Sequence, residues 1–365
     1  MSETITNQNF PPLSSMPLLP ITSRDTIDMC KALPLCSNDV FICSYPKSGT
    51  TWTQHIVLTL LFRHKFNIRS YQGNQTQTQT NTKYHNCYNH VSEYAPFYEI
   101  DAHWDTSTRN LLTSIQHNHE YLGRRVFNTH LRWDMLPSDA AAASTANDHG
   151  KCGKFIYLVR NPLDVCVSFY FHLSHQVEGG YNGTFDDFFQ EWLRGETAFG
   201  SWIDHILSFA QVFADSKPLT PCVFQCVDGR EILLLSYEEM ISNLPLAVKR
   251  LVTFLDLYSI DDDQLQNELL PTFVFEYMKG ELTKFQPRSV QWKNGFEFLR
   301  KGIAGDSVSV VTQDQVKLFR DSIQKHNVLE FLSQLLRGES QEHVYERLRS
   351  LVQGEIGRDS ASSKP

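Results

Sequence analysis

The run Tyr45-Pro46-Lys47-Ser48-Gly49-Thr50-Thr51-Trp52 gathers a cation, a glycine and three aliphatic hydroxyls into one short stretch. An apolar run, Val40-Phe41-Ile42-Cys43, stands just before it. Just after it, Trp52, Ile56 and Leu60 recur four apart, which puts them on one stripe of a helix. A strand, a glycine turn and a helix start leave free N–H groups at the positive end of the helix dipole, which makes a phosphate site. Lys47 adds a point charge beside that anion. The order differs from the nucleotide-triphosphatase loop Gly-x-x-x-x-Gly-Lys-Ser/Thr, because here the Lys precedes the Gly. Ser48 follows Lys47, but ahead of the glycine rather than after it, so it does not stand where that loop's Ser or Thr would hold magnesium. A second stretch, Tyr157-Leu158-Val159-Arg160-Asn161-Pro162, sets a guanidinium at the end of an apolar run, with Ser168 eight residues on. Arg suits bidentate phosphate binding. The bland alternatives are a capped helix after a Gly turn, and an Arg160 paired with Asp164.

These groups need elements to position them. Val40-Phe41-Ile42-Cys43, Val126-Phe127, Phe155-Ile156-Tyr157-Leu158-Val159 and Ile232-Leu233-Leu234-Leu235 are continuous apolar runs, as expected of parallel strands covered on both faces. Helical patterns follow them: one after Thr50, one from Pro162 to Leu173, one from Met240 to Leu255. The alternation predicts a single α/β domain, doubly wound, with a central mainly parallel sheet flanked by helices and a P-loop-like turn. Ligands in such sheets sit beyond the C-terminal strand ends. We divide the chain into a lead-in at 1–38, the domain at 39–340, and a helix end and disordered tail at 341–365. Residues 1–24 read as loose, 73–83 and 140–153 as exposed insertions.

Composition bounds the function. The chain has 365 residues, 41% hydrophobic and 20% charged, and a net charge of -8. It can build a core, and it is poorly suited to coating nucleic acid or an anionic membrane through bulk charge. No run of 18 apolar residues is present, and Met1 to Asp25 lacks a signal-peptide pattern. The eight cysteines are scattered, mostly in apolar contexts, and fit free thiols in the cytoplasm. Cys222 and Cys226 have no second pair near them, so no metal site is expected.

With Arg300-Lys301-Gly302-Ile303-Ala304-Gly305-Asp306, the two stretches above resemble the cytosolic sulfotransferase family, over roughly Asp39 to Phe319. The resemblance implies transfer of a sulfuryl group from 3′-phosphoadenylyl sulfate to a hydroxyl or amine of a small acceptor. It further implies that Lys47, Ser48, Gly49, Thr50 and Thr51 cradle the 5′-phosphate and sulfate end. Trp52 would stack on the adenine, with Tyr237 and Phe275 beside it. Arg160, Ser168, Arg300, Lys301 and Gly302 would hold the 3′-phosphate. A donor with two separated phosphates needs two anion pockets with an aromatic clamp between, and the residues offer both. Asn128-Thr129-His130-Leu131 matches the family's Lys-Thr-His, which makes His130 the expected general base; a neutral imidazole suits that role at pH 7. Ala95-Pro96-Phe97-Tyr98-Glu99 resembles the family's substrate loop, so Phe97 would line the acceptor mouth. Tyr170 and Phe171 are further candidates, with core packing as the alternative for all three.

Three departures matter. Asn128 stands where the family has Lys, which removes one cation from the transferring group and leaves Lys47 to meet more of the leaving-group charge. Ser307 replaces the Trp after Gly-Asp. The family's dimer signature is not retained at Val308, Thr312-Gln313 and Lys317, so no dimer through that segment is expected, and the oligomeric state is open. Two other readings stand beside the active sulfotransferase. One is a P-loop-type kinase, which the Lys–Gly order opposes. The other is a non-catalytic adenosine-bisphosphate-binding protein, which His130 and Lys47 together oppose.

Overall fold

A computed structural model describes residues 13–71, 87–138, 153–293 and 295–325. Helix α1 (Arg24–Ala32) leads into strand β1 (Val40–Ser44) and the 22-residue helix α2 (Thr50–Tyr71). A small hairpin, β2 (Trp104–Asp105) and β3 (Asn110–Leu111), precedes α3 (Thr113–Leu122) and β4 (Val126–Thr129). Then come β5 (Lys154–Val159), α4 (Pro162–Ser174), α5 (Phe185–Arg194) and α6 (Trp202–Ala214). Strands β6 (Lys217–Thr220), β7 (Val223–Gln225) and β8 (Glu231–Ser236) complete the sheet. Helices α7 (Tyr237–Ser242), α8 (Leu244–Phe254), α9 (Phe275–Gly280) and α10 (Gln313–Lys325) follow.

The main sheet has the order β4-β1-β5-β8-β7-β6. The first four strands are parallel, and β7 and β6 add an antiparallel edge. Each parallel strand is buried along its whole length. Alternate side chains therefore feed two cores. Phe41, Phe127, Phe155 and Tyr157 meet helices α1, α4, α5 and α6 on one face. Val40, Ile42, Ile156 and Leu158 meet α2 and α8 on the other. Phe41 stacks between Phe127 at 5.0 Å and Phe155 at 4.8 Å, an aromatic row that locks the three strands side by side. The in-register pairing of β1 with β4 and β5 brings their C-terminal ends to one edge.

Two expectations are corrected. The helical pattern over 240–255 is two helices, because Pro245 cannot continue α7 and instead opens α8 beside the Asn243 cap. The stretch 1–24 is not loose where it is described, because Leu13, Met16 and Leu18 pack on the core. Apolar side chains within that polar stretch supply the burial. Of the thiols, Cys30, Cys43, Cys166, Cys222 and Cys226 are buried and Cys36 is exposed. The insertion at 73–83, residues 140–152 of the other insertion, and the tail at 341–365 lie outside the described residues.

Candidate active site

Ser44, Thr129, Val159 and Ser236 end the four parallel strands, and the segments that follow them build one site. After β1 the backbone turns through Lys47 at φ 67° and Gly49 at φ 102°. The left-handed region is costly for Lys, about 1–2 kcal/mol, so something must hold it there. Arg160 does: its Nη1 donates to the Lys47 carbonyl at 2.9 Å. Gly49 is required by space as well as by φ, since a Cβ would lie 2.8 Å from Cδ2 of Tyr237. The turn thus lies flat on Tyr237, and Ser48 and Thr50 are buried in it.

Arg160 does not pair with Asp164. Its second bond, from Nη2, reaches the Ile303 carbonyl at 3.2 Å, its plane lies 4.3 Å from the Tyr237 ring centre, and its buried Nε has no partner among the described residues. Asp164 has another task. Its carboxylate accepts from the backbone N–H of Gly305 (2.6 Å) and Ser307 (2.8 Å), fastening the 300–306 loop to α4. Within that loop Arg300 and Lys301 both bind Asp306, and Arg300 lies over the Phe171 ring at 4.6 Å. Burial alone would raise the Asp306 carboxyl, but Lys301 and Arg300 hold it below its usual range. Gly302, at φ 64°, faces Phe275 so closely that a Cβ would come within 2.2 Å of the ring. The clamp is completed by Trp52, whose Nε1 donates to the Phe273 carbonyl at 2.7 Å and whose ring meets Tyr237 edge-on at 5.8 Å. Ser168 is half-buried on α4, one turn before Phe171 and His172.

His130 follows β4. Its Nδ1 lies 2.7 Å from the Ser44 carbonyl, which can only accept, so Nδ1 carries the proton and Nε2 is the free acceptor. Nε2 has no partner among the described residues. The ring sits between Phe97 at 5.3 Å and Phe199 at 5.0 Å. Burial lowers its pKa to about 4, against the opposing Ser44 bond, and the charge of Lys47 pushes the same way. The imidazole is therefore neutral at pH 7, and an anion nearby would raise its basicity. Buried Glu99 holds the segment: Oε1 accepts from the His130 N–H at 2.8 Å. Lys47 is lowered to about 7 by burial and by the Arg160 and Arg300 charges.

The structure thus gathers Lys47, Ser48, Gly49, Arg160, Tyr237 and Gly302 around one strand edge, with His130 at one end and Phe275 at the other. Phe171 is placed against Arg300 rather than beside His130. It is the next residue, His172, that reaches Lys47, with Nδ1 3.3 Å from Nζ. Sequence reasoning gave no role to His172, Phe199, Phe298 or the Glu99 carboxylate, and offered Asp164 only as an ion partner of Arg160. A histidine within the helix following Arg160 was the one signal available. Asn128 donates from Nδ2 to the Ala95 carbonyl at 3.3 Å, and its buried Oδ1 has no partner among the described residues.

A sequence profile of the sulfotransferase domain matches residues 37–335. Mouse sulfotransferase 1B1 is 28% identical over 291 residues, which is 79% of this chain and 81% of its own. Cytosolic sulfotransferase 17 of Arabidopsis thaliana is 26% identical over 290 residues, 76% of this chain and 71% of its own. Mouse sulfotransferase SULT7A1 complexed with PAP superposes with a TM-score of 0.55 at 21% identity, covering 90% of this chain and 95% of that one. Retinol dehydratase in complex with retinol and PAP gives 0.53 at 20% identity, covering 84% and 86%. The two solved structures speak for the fold.

Proposed function

The chain belongs to the sulfotransferase family, and from that premise we propose that it moves a sulfuryl group from 3′-phosphoadenylyl sulfate to a hydroxyl or amine of a small apolar or aromatic acceptor, with His130 as general base. It is a sulfotransferase. The observation that carries the finer reading is the His130 tautomer: the Ser44 carbonyl commits Nδ1 and leaves Nε2 to take a proton. The residues suit a nucleotide with two phosphates. The unpartnered Nε of Arg160 and the close Phe275–Gly302 contact support the 3′-phosphate and adenine roles proposed for these residues. That the two solved relatives hold PAP supports the same donor.

In this reading His130 removes the acceptor proton as the new O–S bond forms. Lys47 and the loop N–H groups meet the charge that gathers on the 5′-phosphate as the old S–O bond breaks. No metal enters the scheme. Phe97, half-buried beside His130, favours an apolar or aromatic acceptor. Residence in the cytoplasm belongs to the same proposal, supported by the buried thiols. Among the described residues no helix is long and apolar enough to cross a membrane. Incubation with labelled donor and a panel of phenols, alcohols and amines, without added metal, should label at least one acceptor. Tight PAP binding with no transfer to any of them would instead mark a non-catalytic nucleotide-binding protein.

A further inference from the structure

His172 has no part in the reading above. It sits on α4, four residues after Ser168, and its ring is pinned by Trp292 at 5.1 Å and Phe298 at 5.9 Å. The segment carrying those aromatics is itself fastened to the end of α4, through Val177 N–H to the Gln291 carbonyl (2.9 Å) and Lys293 N–H to the His175 carbonyl (2.7 Å). The imidazole is therefore held on two sides. Lys47 Nζ approaches it at 3.3 Å and lies 4.6 Å above the Phe298 ring. An ammonium has three donors and no acceptor. Nδ1 of His172 must then offer a lone pair, and the ring is neutral with its proton on Nε2.

We propose that His172 is a positioning residue for Lys47: its neutral Nδ1 accepts a proton of the ammonium and holds that cation between the phosphate turn and His130. This rests on the sulfotransferase reading and adds a residue to it. Among the described residues Nδ1 is the hydrogen-bond acceptor Nζ has. The charged and titratable groups around Lys47 are Arg160 from the end of β5, Arg300 from the 300–306 loop, His130 from the end of β4 and His172 from α4. All of the others disfavour the ammonium when charged, so the lone pair of His172 is what steadies it. Asn128 donates from Nδ2 to the Ala95 carbonyl, and its Oδ1 makes no hydrogen bond to Lys47 or any other described residue.

The test compares His172→Phe with His172→Asn. Phe keeps the aromatic packing and loses the acceptor, whereas Asn loses the ring and sets its Oδ1 near the place of Nδ1. Turnover and donor KM are measured from pH 6 to 9, with PAP binding at pH 6.5 and thermal melting as controls of fold. For H172F we expect roughly tenfold lower kcat/KM at pH 8, the scale of one hydrogen bond to a charged group, and an alkaline limb moved to lower pH. H172N should recover most of the activity and the limb. The reverse order, with Phe like the parent and Asn impaired, would show a packing role and overturn the proposal. Parent enzyme that neither binds PAP nor transfers sulfuryl would instead overturn the sulfotransferase reading on which it stands.

Discussion

The Arg160 guanidinium donates to the carbonyl of Lys47 at 2.9 Å. The group expected at the 3′-phosphate thus also fixes the peptide whose side chain is expected at the sulfate end, which would make the two proposed anion pockets mechanically one. Arg160→Lys keeps the charge but not the planar fork. PAP affinity should fall at least tenfold, and the Lys47-dependent rate should fall with it. Calorimetry and steady-state kinetics on the same preparation check this; unchanged affinity would separate the pockets.

Lys47→Ala should lower turnover at least tenfold at saturating donor, the loss of one preorganised charge. The lowered pKa adds a second expectation. Lys47 is held near 7 in the free protein by burial, Arg160 and Arg300, and a bound anion favours the ammonium. Above pH 7, PAP binding should therefore take up a proton, and affinity should weaken as pH rises. Calorimetry at pH 8 in two buffers of different ionisation enthalpy reads the uptake directly, and K47A should abolish it.

His130→Ala should reduce transfer by ~10²–10⁴-fold, the usual worth of a general base, while PAP affinity stays close to that of the parent. His130 bonds Ser44 and Glu99 rather than the clamp residues, so the two readouts are expected to part. Equal loss of both would make His130 structural.

Gly302→Ala puts a methyl on a residue at φ 64° that already abuts Phe275. Left-handed strain of about 1–2 kcal/mol and displacement of the ring should together weaken PAP binding about tenfold. Nucleotides lacking adenine should be affected less, and a titration with both kinds of ligand checks the difference.

Stability should fall as pH drops from about 6.5 towards 4. Burial lowers His55, His119 and His130 to about 4 and His205 to about 3, and pushes His172 well down. In that window the unfolded chain binds protons that the folded one refuses. Buried Glu99, raised to about 7, works the other way, since the folded form takes its proton first. The histidines outnumber it. Melting temperature against pH should slope down below 6.5, and a flat profile from 6.5 to 4.5 would contradict the assignment.

What the chain states locally is legible without a structure. Continuous apolar runs marked the four parallel strands, because a strand covered on both faces has no polar alternation. The Lys-Ser-Gly-Thr-Thr turn and Arg160 could be read because short-range backbone geometry and charge impose their residue types, whereas the Arg-Lys-Gly loop was legible only through the family resemblance. Where one helix ended and another began at Asn243 was less clear, since a single proline outweighed a continuing apolar stripe.

Tertiary packing alone decided which groups meet. Glu99 and His130 are 31 residues apart and share a hydrogen bond. Asp164 reaches the 300–306 loop 141 residues on. His172, not Phe171, meets Lys47, because helix phase and the seating of α4 against Trp292 and Phe298 choose between neighbours. Residue types announce the chemistry a segment can do. The tautomer of His130, the pKa of Lys47 and the partner of Arg160 depend on burial and long-range contacts, which exist only once the sheet has brought its strand ends to one edge.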